Sequence, residues 1–176
     1  MAEVITTAFH PDTKIYYRDD EGIRRQISFE RLAAIFKSVE KPVIVYSLTN
    51  AETVQEANGV GAKSTVLENR QYAVTLSNGA VILCTTKTRF LMRTVNDHLH
   101  AGISPITGFT YIAAESLAVG DRIIAKNEAG YLEITAVNSS IGAFQDYIGL
   151  LVPMFGNFFI DATGTDGVSV EIVASN

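Results

Sequence analysis

The chain has 176 residues, 47% hydrophobic and 19% charged, with a net charge of −5; this is one domain's length with enough apolar material for a core. The acidic balance, with Arg24-Arg25 as the only adjacent basic pair, argues against nucleic acid or an anionic membrane as partner, because no surplus of cations exists to displace phosphate counterions. The single cysteine, Cys84, excludes an internal disulfide framework and thiol-rich zinc sites; no apolar run reaches the roughly 18 residues of a membrane span, and residues 1–7 lack the basic residue and apolar core of a secretory signal, so a cytoplasmic location is expected.

In chain order, Lys14 to Arg18 reads as a short strand that ends at the turn residues Asp19-Asp20-Glu21-Gly22. Ser28 reads as an N-cap, and Phe29, Leu32, Ala33 and Phe36 recur at helical spacing, which predicts one amphipathic helix of about ten residues. Pro42 closes it, and the β-branched run Val43 to Leu48 follows as a strand. Val66 and Leu67 open a β region. Tyr72 to Leu76 and Ala80 to Leu83 flank Ser77-Asn78-Gly79, where Asn-Gly predicts a type I′ hairpin. Further strands are expected at Phe109 to Ala113, Asp121 to Ala125, Tyr131 to Val137, Ile148 to Pro153, Phe158 to Asp161 and Val168 to Val173, with one helical turn over Ala114 to Gly120. Many short strands joined by turns, with one or two short helices, give an all-β class in one domain.

Several candidate sites dissolve on inspection. Asn58 to Thr65 superficially resembles a phosphate loop, but Ala62 precedes Lys63 where the motif needs glycine, so a surface loop is expected. His10, His98 and His100 with Cys84 offer metal-ligating atoms, yet His98 and His100 sit in a polar stretch that reads as a solvated loop, and no metal or other cofactor is assigned. No nucleophile-elbow, zinc-helix or paired-carboxylate pattern occurs. Taken alone, Thr85 and Thr88 read as a β-strand threonine pair.

Three segments, in order, carry a stronger signal. The first is Ala8-Phe9-His10-Pro11-Asp12-Thr13-Lys14-Ile15. The second is Cys84-Thr85-Thr86-Lys87-Thr88-Arg89-Phe90-Leu91, entered through the Tyr72 to Leu83 hairpin. The third runs from Leu151-Val152-Pro153 through Phe155-Gly156-Asn157-Phe158-Phe159 to Ala174-Ser175-Asn176. Together with Ala114-Glu115-Ser116-Leu117-Ala118-Val119-Gly120-Asp121, they resemble the motifs of inteins, the protein-splicing elements of the Hint fold, over residues 8–176. The low cysteine content is similar to that of the low-cysteine split inteins of phage DNA polymerases, here as one joined chain. The space after Asp121 leaves no room for a homing endonuclease.

The resemblance implies a horseshoe of many short strands and an autocatalytic, single-turnover activity: excision of the domain and ligation of its flanks. Ala8 falls at the position of the first nucleophile, Thr7 supplies the scissile carbonyl, and residues 1–7 read as a flanking remnant. Thr85 and Thr88 fall in the second motif, where a hydroxyl and backbone N–H groups suit an oxyanion. Asn176 falls at the asparagine that cyclises, and Ser175 at the histidine before it. The motif histidines are Thr88, Gly156 and Ser175 here, so His10 and Asn157 are the candidate assisting groups. Without a nucleophilic atom at Ala8 the first step is blocked, unless the chain is similar to the rarer class that begins with Ala and is attacked from downstream. The expected partners are flanking polypeptides and, if the domain is naturally split, a complementary fragment; a monomer in a bacterial or phage-infected cell is expected. Rival readings are a Hint domain that cleaves without ligating and a non-catalytic β-rich binding module.

Overall fold

The computed structural model describes residues 7–38, 43–49, 54–59, 65–92, 110–127, 129–150, 152 and 156–175. Within them lie twelve strands and one α-helix: β1 (Lys14–Arg18), β2 (Arg24–Ser28), α1 (Phe29–Ser38), β3 (Val43–Leu48), β4 (Val54–Gly59), β5 (Thr65–Leu76), β6 (Val81–Cys84), β7 (Arg89–Met92), β8 (Thr110–Ala113), β9 (Arg122–Ile124), β10 (Tyr131–Ile148), β11 (Asn157–Asp161) and β12 (Glu171–Ser175). A 3-10 turn at Ala114–Ser116 follows β8. Among the described residues, no helix is long and apolar enough to cross a membrane.

The strands form two sheets. One has eight strands in the order β4-β3-β1-β11-β12-β7-β8, with β2 added on β1; the other has four, β6-β5-β10-β9. One joint between them is the bridge of Ala125, just after β9, to Ile172 in β12; another is made by residues 8–10, ahead of β1. The Phe9 N–H and carbonyl both pair with Ile148 at the end of β10, each at 2.9 Å, while the His10 N–H reaches the Leu83 carbonyl in β6 at 3.0 Å. The Phe9 ring then inserts into a buried aromatic cluster, 5.4 Å from Phe29 and 6.2 Å from both Phe90 and Phe158. A fully buried Phe is worth about 1.5–3 kcal/mol in transfer free energy alone, so this side chain fixes the backbone on both sides of it.

Local chemistry explains most element ends. Ser28 Oγ accepts the Arg31 N–H at 3.3 Å, a cap for α1. The apolar face of α1, led by buried Phe29 and Leu32, packs into the main core. Asp19 folds the β1–β2 turn by accepting the Glu21 and Ile23 amides at 3.0 and 2.8 Å, and Arg25 holds its carboxyl below the usual carboxylate range. The buried Asp121 carboxylate accepts the Ala118 N–H at 2.8 Å and rounds off the turn at Gly120. β12 is tethered at its start: Glu171 takes Arg24 at 2.6 Å, and Arg24 lies over the Tyr16 ring at 3.9 Å.

Several expectations change. The β5–β6 hairpin turns through three residues, not two: the Gly79 N–H bonds to the Leu76 carbonyl at 2.9 Å and Gly79 itself takes φ +87°. This is the three-residue hairpin with a left-handed glycine. Its tip docks on the loop after β11, where Asn78 Nδ2 donates to the Ala162 carbonyl at 2.8 Å and the Thr165 N–H donates to the Asn78 carbonyl at 3.1 Å. β10 is one strand of 18 residues, and its pairing with β5 runs from Ile134–Leu76 to Ile148–Thr65. The outer part of this ribbon exposes Ile141 and Phe144, so residues 138–146 give no inward apolar alternation to read. β2 and β4 are additional strands, and Asn58-Gly59 close β4 instead of opening a loop. Ile148 ends β10 instead of starting a strand, and the last strand is Glu171–Ser175. Pro42, Pro153, His98, His100 and the residues 60–64 of the phosphate-loop look-alike lie outside the described residues.

Candidate active site

The Thr7–Ala8 peptide bond is fully buried. Thr7, Ala8 and Thr88 each expose 0% of their surface and Thr85 exposes 2%. The turn between β6 and β7, residues 85–88, wraps around this bond. It is closed by the Thr88 N–H on the Thr85 carbonyl at 3.2 Å and anchored by the Ala114 N–H on the Thr88 carbonyl at 2.7 Å. Thr85 and Thr88 therefore lie on a turn and not on a strand, which lets both hydroxyls face the same backbone.

Thr88 is the hub. Its Oγ1 accepts the Ala8 N–H at 3.1 Å, and its hydroxyl donates to the Ala8 carbonyl at 2.8 Å. The Thr85 hydroxyl lies 2.9 Å from Thr88 Oγ1. With the Thr88 proton committed to the Ala8 carbonyl, Thr85 supplies the proton of that contact. The Thr85 backbone N–H also reaches the Ala8 carbonyl, at 3.1 Å. Thr88 Oγ1 thus holds the Ala8 amide as its acceptor, and two donors hold the Ala8 carbonyl; the expected donation was to the carbonyl of Thr7. In a site closed to water such hydrogen bonds are stronger, and an unmade one is more costly.

Thr7 is held independently. Its Oγ1 accepts the Arg89 N–H at 3.3 Å. Because the Thr88 carbonyl is taken by β8's neighbour Ala114, alternation along the antiparallel ladder turns the Arg89 amide to the opposite side, toward Thr7. β12 arrives at the same place: Ala174 pairs with Phe90 and Ser175 with Asn157. Thr7 and the end of β12 thus both meet the first residues of β7, with Ala8 held by the turn just before it. Asn176 lies outside the described residues.

The other candidates sit elsewhere. His10 Nδ1 accepts the Asp12 N–H at 3.2 Å, and its ring lies edge-on to Tyr147 with centroids 6.5 Å apart; the imidazole serves the turn after Ala8, not the Ala8 amide. Asn157 is a backbone clamp. Its Oδ1 accepts the Leu48 N–H at 2.8 Å, its Nδ2 donates to the Leu48 carbonyl at 3.0 Å, and its own carbonyl accepts Ser47 Oγ at 2.7 Å. The side chain so imitates a peptide group and binds the end of β3 to β11. Cys84 is buried and free. Burial pushes its thiol up to about 12, with its side-chain hydrogen bond to Thr88 a smaller influence the other way, so it stays protonated and non-nucleophilic near neutral pH. Among the described residues, no group of three or more His, Cys, Asp and Glu is placed to hold a metal.

The same architecture occurs in solved inteins. The transcription factor IIB Mvu mini-intein superposes with a TM-score of 0.68 at 15% identity, covering 96% of this chain and 100% of that one. The DnaB intein from Synechocystis sp. gives 0.64 at 15%, covering 97% and 99%. A bacterial intein-like domain from Clostridium thermocellum gives 0.65 at 18%, also covering 97% and 99%. The chain has the Hint fold of the inteins. No protein-family model and no curated relative matches the sequence.

Within the Hint fold, two contacts had no sequence signal. The Arg89 amide on Thr7 is a backbone donor and leaves no residue preference. The Asn157–Leu48 clamp joins positions 109 residues apart, and only the Asn–Phe of the third motif hinted that Asn157 matters.

Proposed function

We propose that this domain is a protein-splicing element whose first step is blocked at Ala8. One observation carries the reading: the amide that the first motif designates as scissile is buried, with its nitrogen held by Thr88 Oγ1 at 3.1 Å. In the reaction, a nucleophile at position 8 attacks the Thr7 carbonyl and converts the amide to an ester or thioester. The nitrogen must gain a proton as it leaves. The proton that the attacking hydroxyl or thiol gives up is the one the nitrogen finally carries: the Thr88 hydroxyl, within hydrogen-bond reach of that nitrogen and 2.9 Å from the Thr85 hydroxyl, is placed to turn its proton from the Ala8 carbonyl to the nitrogen and to regain the nucleophile's proton. Burial keeps water from the ester once formed. The acyl group then passes to a Ser, Thr or Cys beyond Asn176, and the Asn176 side chain closes on its own carbonyl to cut the second junction. Thr7 meeting Arg89 while β12 meets Phe90, the next residue of β7, supports the proximity these transfers need.

The substrates are the polypeptides that flank the domain. The test restores a nucleophile: an Ala8→Cys chain carrying a downstream segment that begins with Cys. Splicing yields a ligated product lacking residues 8–176, visible by mass. Two free flanks without the ligated product indicate a Hint domain that only cleaves, and an unchanged chain counts against both.

A further inference from the structure

The residue before the scissile bond is treated by this domain as part of its core. Thr7 is fully buried, its Oγ1 accepts the Arg89 N–H at 3.3 Å, and its neighbour Ala8 is locked from the other side by Thr88 and Thr85. Arg89 belongs to β7, the strand that also receives β12 at Phe90. A flanking residue with no role would be expected to point to solvent, since burying a hydroxyl without a partner costs about 1–3 kcal/mol. Here the hydroxyl has a partner, and that partner is a backbone group whose direction is set by the β7–β8 ladder.

We infer that the Thr7 site is a specificity subsite: the domain acts on an upstream polypeptide ending in a small, hydroxyl-bearing residue, threonine by preference, and the Arg89 amide reads that hydroxyl. This rests on the splicing reading above. The amide ties the acyl-donor residue to the strand beside the nucleophile, so the carbonyl to be attacked keeps its position only while the hydroxyl is present. Serine keeps the bond and loses only the methyl contact. Valine keeps the shape and leaves the Arg89 N–H without its acceptor. Large residues overfill a closed space.

The test uses the Ala8→Cys chain and the rate at which dithiothreitol releases residues 1–7, followed by mass. Four partners at position 7 form two matched pairs: the parent threonine against Thr7→Val, equally hindered toward an attacking thiol, and Thr7→Ser against Thr7→Ala, both unbranched. Within each pair the hydroxyl-bearing member is expected to release about tenfold faster, in line with one neutral hydrogen bond between buried groups. Thr7→Phe is expected to be slower by about tenfold to a hundredfold. A second readout is independent of chemistry: hydrogen exchange at the Arg89 amide, slow with Thr7 and Thr7→Ser, faster with Thr7→Val and Thr7→Ala. Release at one common rate across both pairs, or an Arg89 amide indifferent to residue 7, overturns the subsite. Absence of release from every chain overturns the splicing reading and the subsite with it.

Discussion

Thr88→Val in the Ala8→Cys chain is the sharpest perturbation of the site. Valine has nearly the same shape, so the change deletes a hydroxyl and little else. Four contacts go: the acceptor of the Ala8 N–H at 3.1 Å, the donor to the Ala8 carbonyl at 2.8 Å, the partner of the Thr85 hydroxyl at 2.9 Å, and the hydrogen bond with Cys84. The Ala8 carbonyl keeps the Thr85 N–H at 3.1 Å and remains satisfied. The Ala8 N–H becomes an orphan in a site closed to water, at about 1–3 kcal/mol, and the bond to Thr85 adds about 1 kcal/mol. A loss of about 2–4 kcal/mol is expected in urea unfolding, which leaves a domain of ordinary stability folded. Release of residues 1–7 by thiol should slow by about 10²–10⁴, the usual worth of a positioned proton-transfer group. Thr88→Ser should restore most of both. Thr85→Val should cost less in rate, because its backbone N–H remains on the Ala8 carbonyl. A folded Thr88→Val chain that releases its peptide as fast as the parent would refute the role given to Thr88.

Four further outcomes rest on burial and packing. Cys84 should resist iodoacetamide at pH 8 in the folded chain and react once unfolded in urea; alkylation of the folded protein would contradict its burial. Its folded value, about 12, lies above the roughly 8.5 of an unfolded thiol, so its contribution to stability is complete below about 8.5 and is lost as pH rises toward 12; Cys84→Ser should flatten that part of the alkaline decline in the urea midpoint. Asn157→Ala should cost about 2–4 kcal/mol in urea unfolding, because the Leu48 N–H and carbonyl both lose their partner in the core; an unchanged midpoint would show that the clamp is not needed. Gly164→Ala should cost about 1–3 kcal/mol by the same measurement, since a Cβ there would sit 2.1 Å from the Asn78 carbonyl oxygen and the hairpin tip must move; wild-type stability would mean that the tip docks only loosely.

Elements with an inward face were legible in the sequence. β1, α1 and β3 match their expected bounds because Ile15, Phe29, Leu32, Val43 and Val45 point to the core, which leaves a periodic trace. β2 was not legible: Arg24-Arg25-Gln26 are exposed and the strand exists by pairing with β1 along its whole length. The outer ribbon of β10 is the same case, held by β5 and not by burial. At the site, the motif order located Ala8, Thr85 and Thr88, but not how they meet. Ala8 and Thr88 are 80 residues apart, and their contact depends on the Phe9 ring seating among Phe29, Phe90 and Phe158. His10 stands two residues from Ala8 in sequence and is carried away from the Ala8 amide by the turn to Asp12. Chain proximity and spatial proximity diverge there because residue 9, not residue 10, points inward.

The proposed function makes the Thr7–Ala8 bond the one that breaks first. The most direct measurement is intact mass of the Ala8→Cys chain with and without dithiothreitol, beside the Ala8 chain treated identically. A thioester exchanges with thiols readily and an amide does not. The account predicts that the Ala8→Cys chain loses the mass of residues 1–7 while the Ala8 chain stays whole. A folded Ala8→Cys chain that keeps its full mass after a day in thiol would contradict it.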